Sequence, residues 1–356
     1  MVAARYRPFV GGIETHVEEV ARRLADLGVD VTVLTADPMG SSAATEVIDG
    51  VQVRRVPAWP RSRDYYLAPR MYPHVATGGW DVVHVQGYQT FVPPVAMAAA
   101  LRSKLPYVAT FHAGGHSSRV RNALRPTQLV VLRPLLARAR RLVALADFEV
   151  DEYSRRLRLP RERFVVIPNG SDLPGPTVRH HDRDESLVAS LGRLERYKGH
   201  QRLIEALPHI IQKKPDAHLW IAGSGPYGER LGRLAEALGV SDRVRLEAVE
   251  RNRLAEELSR VKVVVSLSEY ETQPIAALEA LSLGCRLVVA DTPGLSALAA
   301  DGLARAIARD SRPEQVAQVV VEELDRPPVS AAPELPTWDD CARSLLELYR
   351  LVLGMS

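Results

Sequence analysis

The sequence of 356 residues holds only two cysteines, Cys285 and Cys341, too few for a disulfide framework or a cysteine metal site. Aromatic residues are sparse at 6%. Long apolar runs are missing as well: the stretch Val92–Leu101 is among the longest and falls far short of a bilayer span. No charged start leads into an apolar segment with a small-residue cleavage site, so no secretory signal is read. These absences point to a cytoplasmic protein. Acidic residues are absent from a whole segment, none lying between Asp81 and Asp147. That segment carries Arg102, Lys104, Arg119, Arg121, Arg125, Arg133, Arg138, Arg140 and Arg141. Residues 1–170 hold 23 Lys+Arg against 15 Asp+Glu, a net +8, while residues 171–356 hold 23 against 28, a net −5. A basic N-terminal half suits an anionic acceptor or the inner face of an anionic membrane, with 119–141 as a peripheral contact. A solvated basic face explains it equally well, and Pro126 and Pro134 are expected to interrupt a helix there.

What is present is enough chain for two domains and a composition, 46% hydrophobic and 25% charged, typical of globular proteins. Short β-branched runs alternate with helical patterns, the mark of parallel sheets covered by helices. In the first half the strand candidates are Val31–Leu34, Val51–Val56, Asp81–Val85, Tyr107–Phe111, Leu142–Leu145 and Phe164–Ile167. A helix is expected after Gly11-Gly12, with Ile13, Val17, Val20, Leu24 and Leu27 on its apolar face and Gly28 at its end. Only Met1–Ala4 precede Arg5-Tyr6-Arg7-Pro8, so the first strand is expected to be short, or the start to lie inside a longer natural one. Asn169–Glu185 reads as a polar linker. A second cycle follows, with strands at Leu187–Leu191, His218–Ala222, Val244–Ala248, Lys262–Leu267 and Arg286–Val289, and a last helix from Thr337. The expected architecture is α/β: two doubly wound Rossmann-like domains, 1–172 and 185–335, with 336–356 packing back on the first. Ligands of such sheets bind beyond the carboxyl ends of the strands, here in a cleft between facing domains.

Two motifs carry chemistry. Gly192-Arg193-Leu194-Glu195-Arg196-Tyr197-Lys198-Gly199 follows the strand Leu187–Leu191. Glycine lets backbone approach a ligand closely, and Arg193 and Lys198 supply cations suited to a diphosphate. A basic turn that merely caps the domain is the plainer explanation. Glu271 and Glu279 stand eight residues apart after the strand Lys262–Leu267, with Pro274 suited to the first turn of a helix between them. Free amides at a helix start bind anions, and nearby carboxylates accept hydrogen bonds from sugar hydroxyls. Two glutamates near a helix start are common in any protein, so this motif alone is weak.

Taken together and in this order, the motifs resemble those of the retaining GT-B glycosyltransferases of family 4 over nearly the whole chain. The resemblance implies a metal-independent enzyme of the hexosyltransferase type, without a cofactor, that moves a hexose or related sugar from a UDP- or GDP-linked donor. The acceptor would be a hydroxyl on a polysaccharide, glycolipid or natural-product intermediate. It implies that Arg193 and Lys198 hold the donor diphosphate, that Glu271 contacts the transferred sugar and that Glu279 binds the ribose hydroxyls. It places Gly12, with Gly11 and Glu14, in a glycine-rich loop facing phosphates or acceptor, and His112 against the donor sugar. Histidine at a strand end is otherwise more often structural, so His112 depends on the resemblance. Asn169-Gly170 with Asp172 matches the interdomain segment, and Gly225, within Gly223-Ser224-Gly225-Pro226, a nucleotide-side loop. Gly192, Thr272 and Ile275 complete the donor-binding set, with backbone around Glu247–Glu250 near the base.

One departure stands out. Family members usually carry Gly-Phe-Gly after the first glutamate, whereas Thr272-Gln273-Pro274 occupy that place here, and Pro274 has no N–H to donate. A nicotinamide-dependent oxidoreductase would need a third glycine after Gly11-Gly12 and an acidic residue about twenty positions on. A non-catalytic nucleotide-sugar-binding or scaffold subunit is the other alternative. Nothing suggests nucleic acid as a partner.

Overall fold

The computed structural model describes residues 1–9, 11–40, 42–60, 67–112, 119–173, 183–327, 329 and 332–355, with the backbone alone at 119–122. Among them the chain forms two compact units, one from 1–112, 119–170 and 336–355, the other from 171–335.

The first unit runs β1 (Val2–Ala3), α1 (Gly12–Asp26), β2 (Thr32–Asp37), β3 (Thr45–Ile48), β4 (Val51–Pro57), α2 (Met71–Thr77), β5 (Val83–Gln86), α3 (Val92–Arg102), β6 (Tyr107–Thr110), α4 (Arg119–Leu136), β7 (Arg141–Ala144), α5 (Asp147–Leu157) and β8 (Phe164–Val166). Its sheet has the order β3-β4-β2-β1-β5-β6-β7-β8. All pairings are parallel except β3 with β4, an antiparallel edge that the sequence reading did not foresee. Every residue of β5 and β6 is buried, as expected of strands covered on both faces. The short β1 pairs through Val2 with both Leu34 and Val85. Helix α1 buries Val17, Val20, Ala21 and Leu24 at helical spacing, and it ends before Gly28, whose φ of 85° suits glycine.

In the second unit come β9 (Asp184–Leu191), α6 (His200–Lys213), β10 (His218–Ala222), α7 (Gly228–Ala237), β11 (Val244–Glu247), α8 (Arg251–Ser259), β12 (Val261–Ser266), α9 (Ile275–Ser282), β13 (Arg286–Ala290), α10 (Leu295–Ala300), β14 (Arg305–Ile307) and α11 (Pro313–Asp325). The order β11-β10-β9-β12-β13-β14 is wholly parallel and reverses direction between β9 and β12. That reversal is the topological switch point, where ligands of doubly wound sheets bind. Two apolar cores sandwich the sheet. One joins α6, α7 and α11 through Leu203, Leu207, Leu231 and Val320; the other joins α8, α9 and α10 through Leu258, Leu278, Leu281 and Leu295.

The chain then returns to the first unit as α12 (Trp338–Leu353). Thr337 and Asp340 cap its start reciprocally, and Trp338, Cys341, Leu345 and Tyr349 form its buried face. Against α1, Arg23 Nε donates to Asp339 Oδ1 at 2.5 Å.

Three expectations need correcting. Pro126 and Pro134 both sit inside one continuous α4, which therefore runs unbroken past them. The polar stretch 169–185 is not loose at its ends: Asn169 is 2% exposed, Ser171 is buried, and β9 already begins at Asp184. The middle of that stretch, 174–182, lies outside the described residues. Pro274 occupies the N-cap of α9, not its first turn.

Candidate functional site

Polar residues collect at the carboxyl ends of the strands in each unit, and the two collections differ in kind. In the second unit, the turn after β9 brings Gly192 into a φ of 135°, a region that favours glycine. The Glu195 N–H donates to Arg193 O at 2.8 Å and the Lys198 N–H to Glu195 O at 3.1 Å, folding 193–198 tightly. Gly199, at φ 79°, lies so close to Leu267 that an added Cβ would stand 2.6 Å from that residue's carbonyl carbon. This contact pins the basic turn against the loop that follows β12. His200, the first residue of α6, bridges Ser190 Oγ (2.9 Å) and Arg193 O (3.2 Å), so its ring braces the strand end and the turn together. Burial pulls its pKa down to about 4, so it does this as a neutral imidazole.

The cations of this turn meet carboxylates. Lys198 Nζ donates to Glu271 Oε1 at 2.5 Å, and the same oxygen accepts from Ser268 Oγ at 2.8 Å. Burial pulls the Lys198 pKa down, but Glu271 beside it outweighs burial and leaves it raised, so the ammonium form is secure. Arg193 is paired with Glu195. Glu279, 2% exposed within α9, accepts from Arg251 Nη1 at 2.6 Å. Thr272 is buried in the connecting loop, and Ile275 opens α9 with its start at the same end of the sheet. Gly225, at φ 156°, places an imagined Cβ 2.5 Å from Leu194 O, so the loop after β10 packs directly on the basic turn. The structure thus brings Arg193, Lys198, Glu271, Gly192 and Gly225 together, with Glu279 held separately by Arg251. The partners Glu195, Ser268, His200 and Arg251 were missed from sequence. Ser268 precedes Glu271 by three residues in one loop, a signal that was available; the Arg251–Glu279 pair spans 28 residues and left none.

Around His112 the first unit gathers neutral groups. His112 follows β6 and is buried; its Nε2–H donates to Gln86 Oε1, at the end of β5, at 2.7 Å. His16, on α1, packs edge-on against His112 with ring centroids 4.8 Å apart. Its Nδ1–H donates to Asn169 Oδ1 at 2.7 Å, leaving Nε2 a buried acceptor with no hydrogen-bond partner among the described residues. Burial lowers the His16 pKa to about 4, against the opposing Asn169 bond, and pushes His112 well below its usual range. Gln89 Nε2 donates to the His112 carbonyl, fixing the strand end from behind. Trp338 lies beneath His16 at 6.0 Å between ring centres. Gly12 is exposed at the first position of α1, and Glu14 is ion-paired with Arg5 at 3.1 Å. No group of three metal-ligating side chains occurs among the described residues.

A wholly parallel sheet with a basic turn, two carboxylates and a helix start at its switch point places this chain among two-domain, doubly wound α/β proteins. Residues 10–173 match the family described as Glycosyltransferase Family 4, and residues 177–332 match Glycosyl transferases group 1. The chain belongs to the GT-B glycosyltransferases of family 4 and is a transferase of the glycosyl class. Among its relatives is the D-inositol 3-phosphate glycosyltransferase of Nocardiopsis dassonvillei, 29% identical, covering 96% of this chain and 89% of that protein. Another is the GDP-mannose:cellobiosyl-diphosphopolyprenol alpha-mannosyltransferase of Xanthomonas oryzae pv. oryzae, 27% identical over 84% of this chain and 80% of the relative. The fold is shared with sucrose-phosphate synthase from Thermosynechococcus elongatus at a TM-score of 0.72 and 18% identity, covering 98% and 95% of the two chains. It is likewise shared with Anabaena HepE, solved with UDP-glucose, at a TM-score of 0.71 and 18% identity over 99% and 96%.

Proposed function

We propose that the chain is a cytoplasmic, retaining and metal-independent glycosyltransferase that takes a hexose or related sugar from a UDP- or GDP-linked donor. The observation that carries this reading is the convergence of Arg193, Lys198 and Glu271 at the switch point of the second sheet. As the glycosidic bond to the diphosphate breaks, negative charge grows on the leaving oxygens. Arg193, Lys198 and the start of α9 stabilise that charge, the work that a metal does in other transferases. Glu279 serves the ribose and Glu271 the sugar, each already held by a cation. His112, neutral by burial, serves the sugar as a hydrogen-bonding group. Its Nε2–H is committed to Gln86, so Nδ1 is the atom that accepts. Pro274 at the N-cap of α9 has no N–H, and Ile275 and Ala276 provide the first amides instead.

The test is a transfer and hydrolysis screen over UDP- and GDP-sugars, run with and without a chelator. Turnover of one donor, unchanged by the chelator, is expected. Donor turnover abolished by chelation would remove the metal-independent part, and no turnover with any donor would favour a binding subunit.

The acceptor side supports a peripheral contact with an anionic membrane. Helix α4 exposes Leu124 (59%), Val130 (57%) and Val131 (70%); Arg133 near its end, and Arg138 and Arg140 just beyond it, are exposed as well. The side chains of Arg119 and Arg121 lie outside the described residues. Apolar side chains flanked by arginines suit a lipid surface, which buries the former and attracts the latter. No helix among the described residues is long and apolar enough to cross a membrane. Co-sedimentation with anionic vesicles, weakened by salt, is expected; binding that is absent, or indifferent to salt, rules out this electrostatic docking.

A further inference from the structure

The motif cations are not waiting as bare positive charge. Arg193 is paired with Glu195 and Lys198 with Glu271, so the four groups sum to zero. They form one cluster: the buried Tyr197 hydroxyl, its pKa raised by burial, feels the charges of Lys198, Glu271, Arg193 and Glu195 together. The two carboxylates are held differently. Glu271 is tied to a lysine and a serine, both from its own surroundings, at 2.5 and 2.8 Å. Glu195 is only two residues from Arg193, its N–H donating to the Arg193 carbonyl, so the tight turn presents both side chains to each other. The Glu195 side chain is 8% exposed and that of Arg193 32% exposed, so the guanidinium is the member that solvent and a ligand can reach.

We propose that Glu195 is an internal competitor for the donor diphosphate: it holds Arg193 while the site is empty, yields it to the incoming diphosphate and takes it back as the nucleoside diphosphate departs. The inference rests on the assignment of Arg193 and Lys198 to the diphosphate and adds a residue that tunes affinity and release. Two anions sharing one guanidinium repel each other across it, so a carboxylate that is 8% exposed sets an upper limit on diphosphate affinity. The same repulsion hastens departure of the product, which is rate-limiting in many transferring enzymes.

The experiment is calorimetric titration of UDP, GDP and inorganic pyrophosphate into the wild-type chain, Glu195→Gln and Glu195→Asp, at low and high salt, with thermal melts of each. Glu195→Gln keeps the shape and removes the charge. It is expected to tighten binding of the better nucleotide by about 3- to 10-fold, more at low salt than at high. Glu195→Asp, which keeps the charge, is expected to stay within about twofold of wild type, and serves as the folded reference. In turnover, Glu195→Gln lowers the donor KM without raising kcat. Unchanged or weakened binding in Glu195→Gln, with an unchanged melt, overturns the proposal and makes Glu195 a residue that only positions Arg193. If the wild-type chain binds none of the three probes, the diphosphate assignment itself fails and the competitor role falls with it.

Discussion

The two units answer the same architectural problem with opposite electrostatics. Each gathers polar side chains at the carboxyl ends of its strands. In the second unit they are ions in matched pairs: Arg193 with Glu195, Lys198 with Glu271, Arg251 with Glu279. Around His112 in the first they are imidazoles and amides, His16, His112, Gln86 and Asn169; the amides carry no charge and burial keeps the imidazoles neutral. An ionic cluster can exchange one anion for another and so suits a diphosphate. A neutral cluster offers fixed donors and acceptors without charge and suits hydroxyls. The difference follows from what lies around each cluster. His16 and His112 pack against each other, with Trp338 under His16, and burial of that kind disfavours an unpaired charge.

Perturbing each cluster in turn sharpens this contrast. The largest effect is expected from Trp338→Ala, which empties the floor of the neutral cluster. Trp338 is fully buried, so a loss of about 3–5 kcal/mol is expected, read as a lower melting transition with the ionic cluster left intact. Lys198→Ala comes next: it removes a cation from the developing charge and leaves Glu271 without its lysine. We expect kcat to fall by about 10²- to 10³-fold, measured in the donor turnover assay.

The third effect is on acid stability and belongs to the neutral cluster. His16 has a folded pKa of about 4 against 6.5 when free. Between those values the unfolded chain takes up a proton that the folded chain refuses. Its contribution is therefore complete above pH 6.5 and is lost as pH falls toward 4, reaching about 2 kcal/mol by pH 5. Melts between pH 7 and 5 should show this slope added to that of the other buried histidines, His84, His112 and His200, and His16→Gln should reduce the total by His16's share. The smallest effect is a control on exposed charge: Lys214→Ala breaks the surface pair with Asp325 and should cost no more than about 0.5 kcal/mol.

Much of this arrangement was legible in the sequence. β10 was read to its ends, Gly28 marked the close of α1, and the motif order identified the family. What stayed hidden is non-local or too short to have a period. β3 alternates between exposed and half-buried residues at a sheet edge, and two of the three residues of β14 are exposed, so neither shows an apolar run. Asn169 looked like linker because its neighbours are polar and glycine-rich, yet its side chain meets His16 across 153 positions. Gln86 and Arg251 gained their meaning only through pairings across 26 and 28 residues. The prolines of α4 illustrate the converse: a strong local rule gave way, since Leu129, Leu132 and Leu136 are buried along one side of an unbroken helix.

The most direct test of the division between the clusters is titration of UDP and GDP into the wild-type chain, Lys198→Ala and His112→Asn. If the ionic cluster holds the diphosphate and the neutral cluster serves hydroxyls, Lys198→Ala weakens the better nucleotide at least about 10-fold, the scale of a charge-assisted contact. His112→Asn then leaves that affinity within about twofold, because the nucleoside diphosphate carries no transferred sugar for it to contact. Weaker nucleotide binding in His112→Asn, with Lys198→Ala unchanged, would contradict the account.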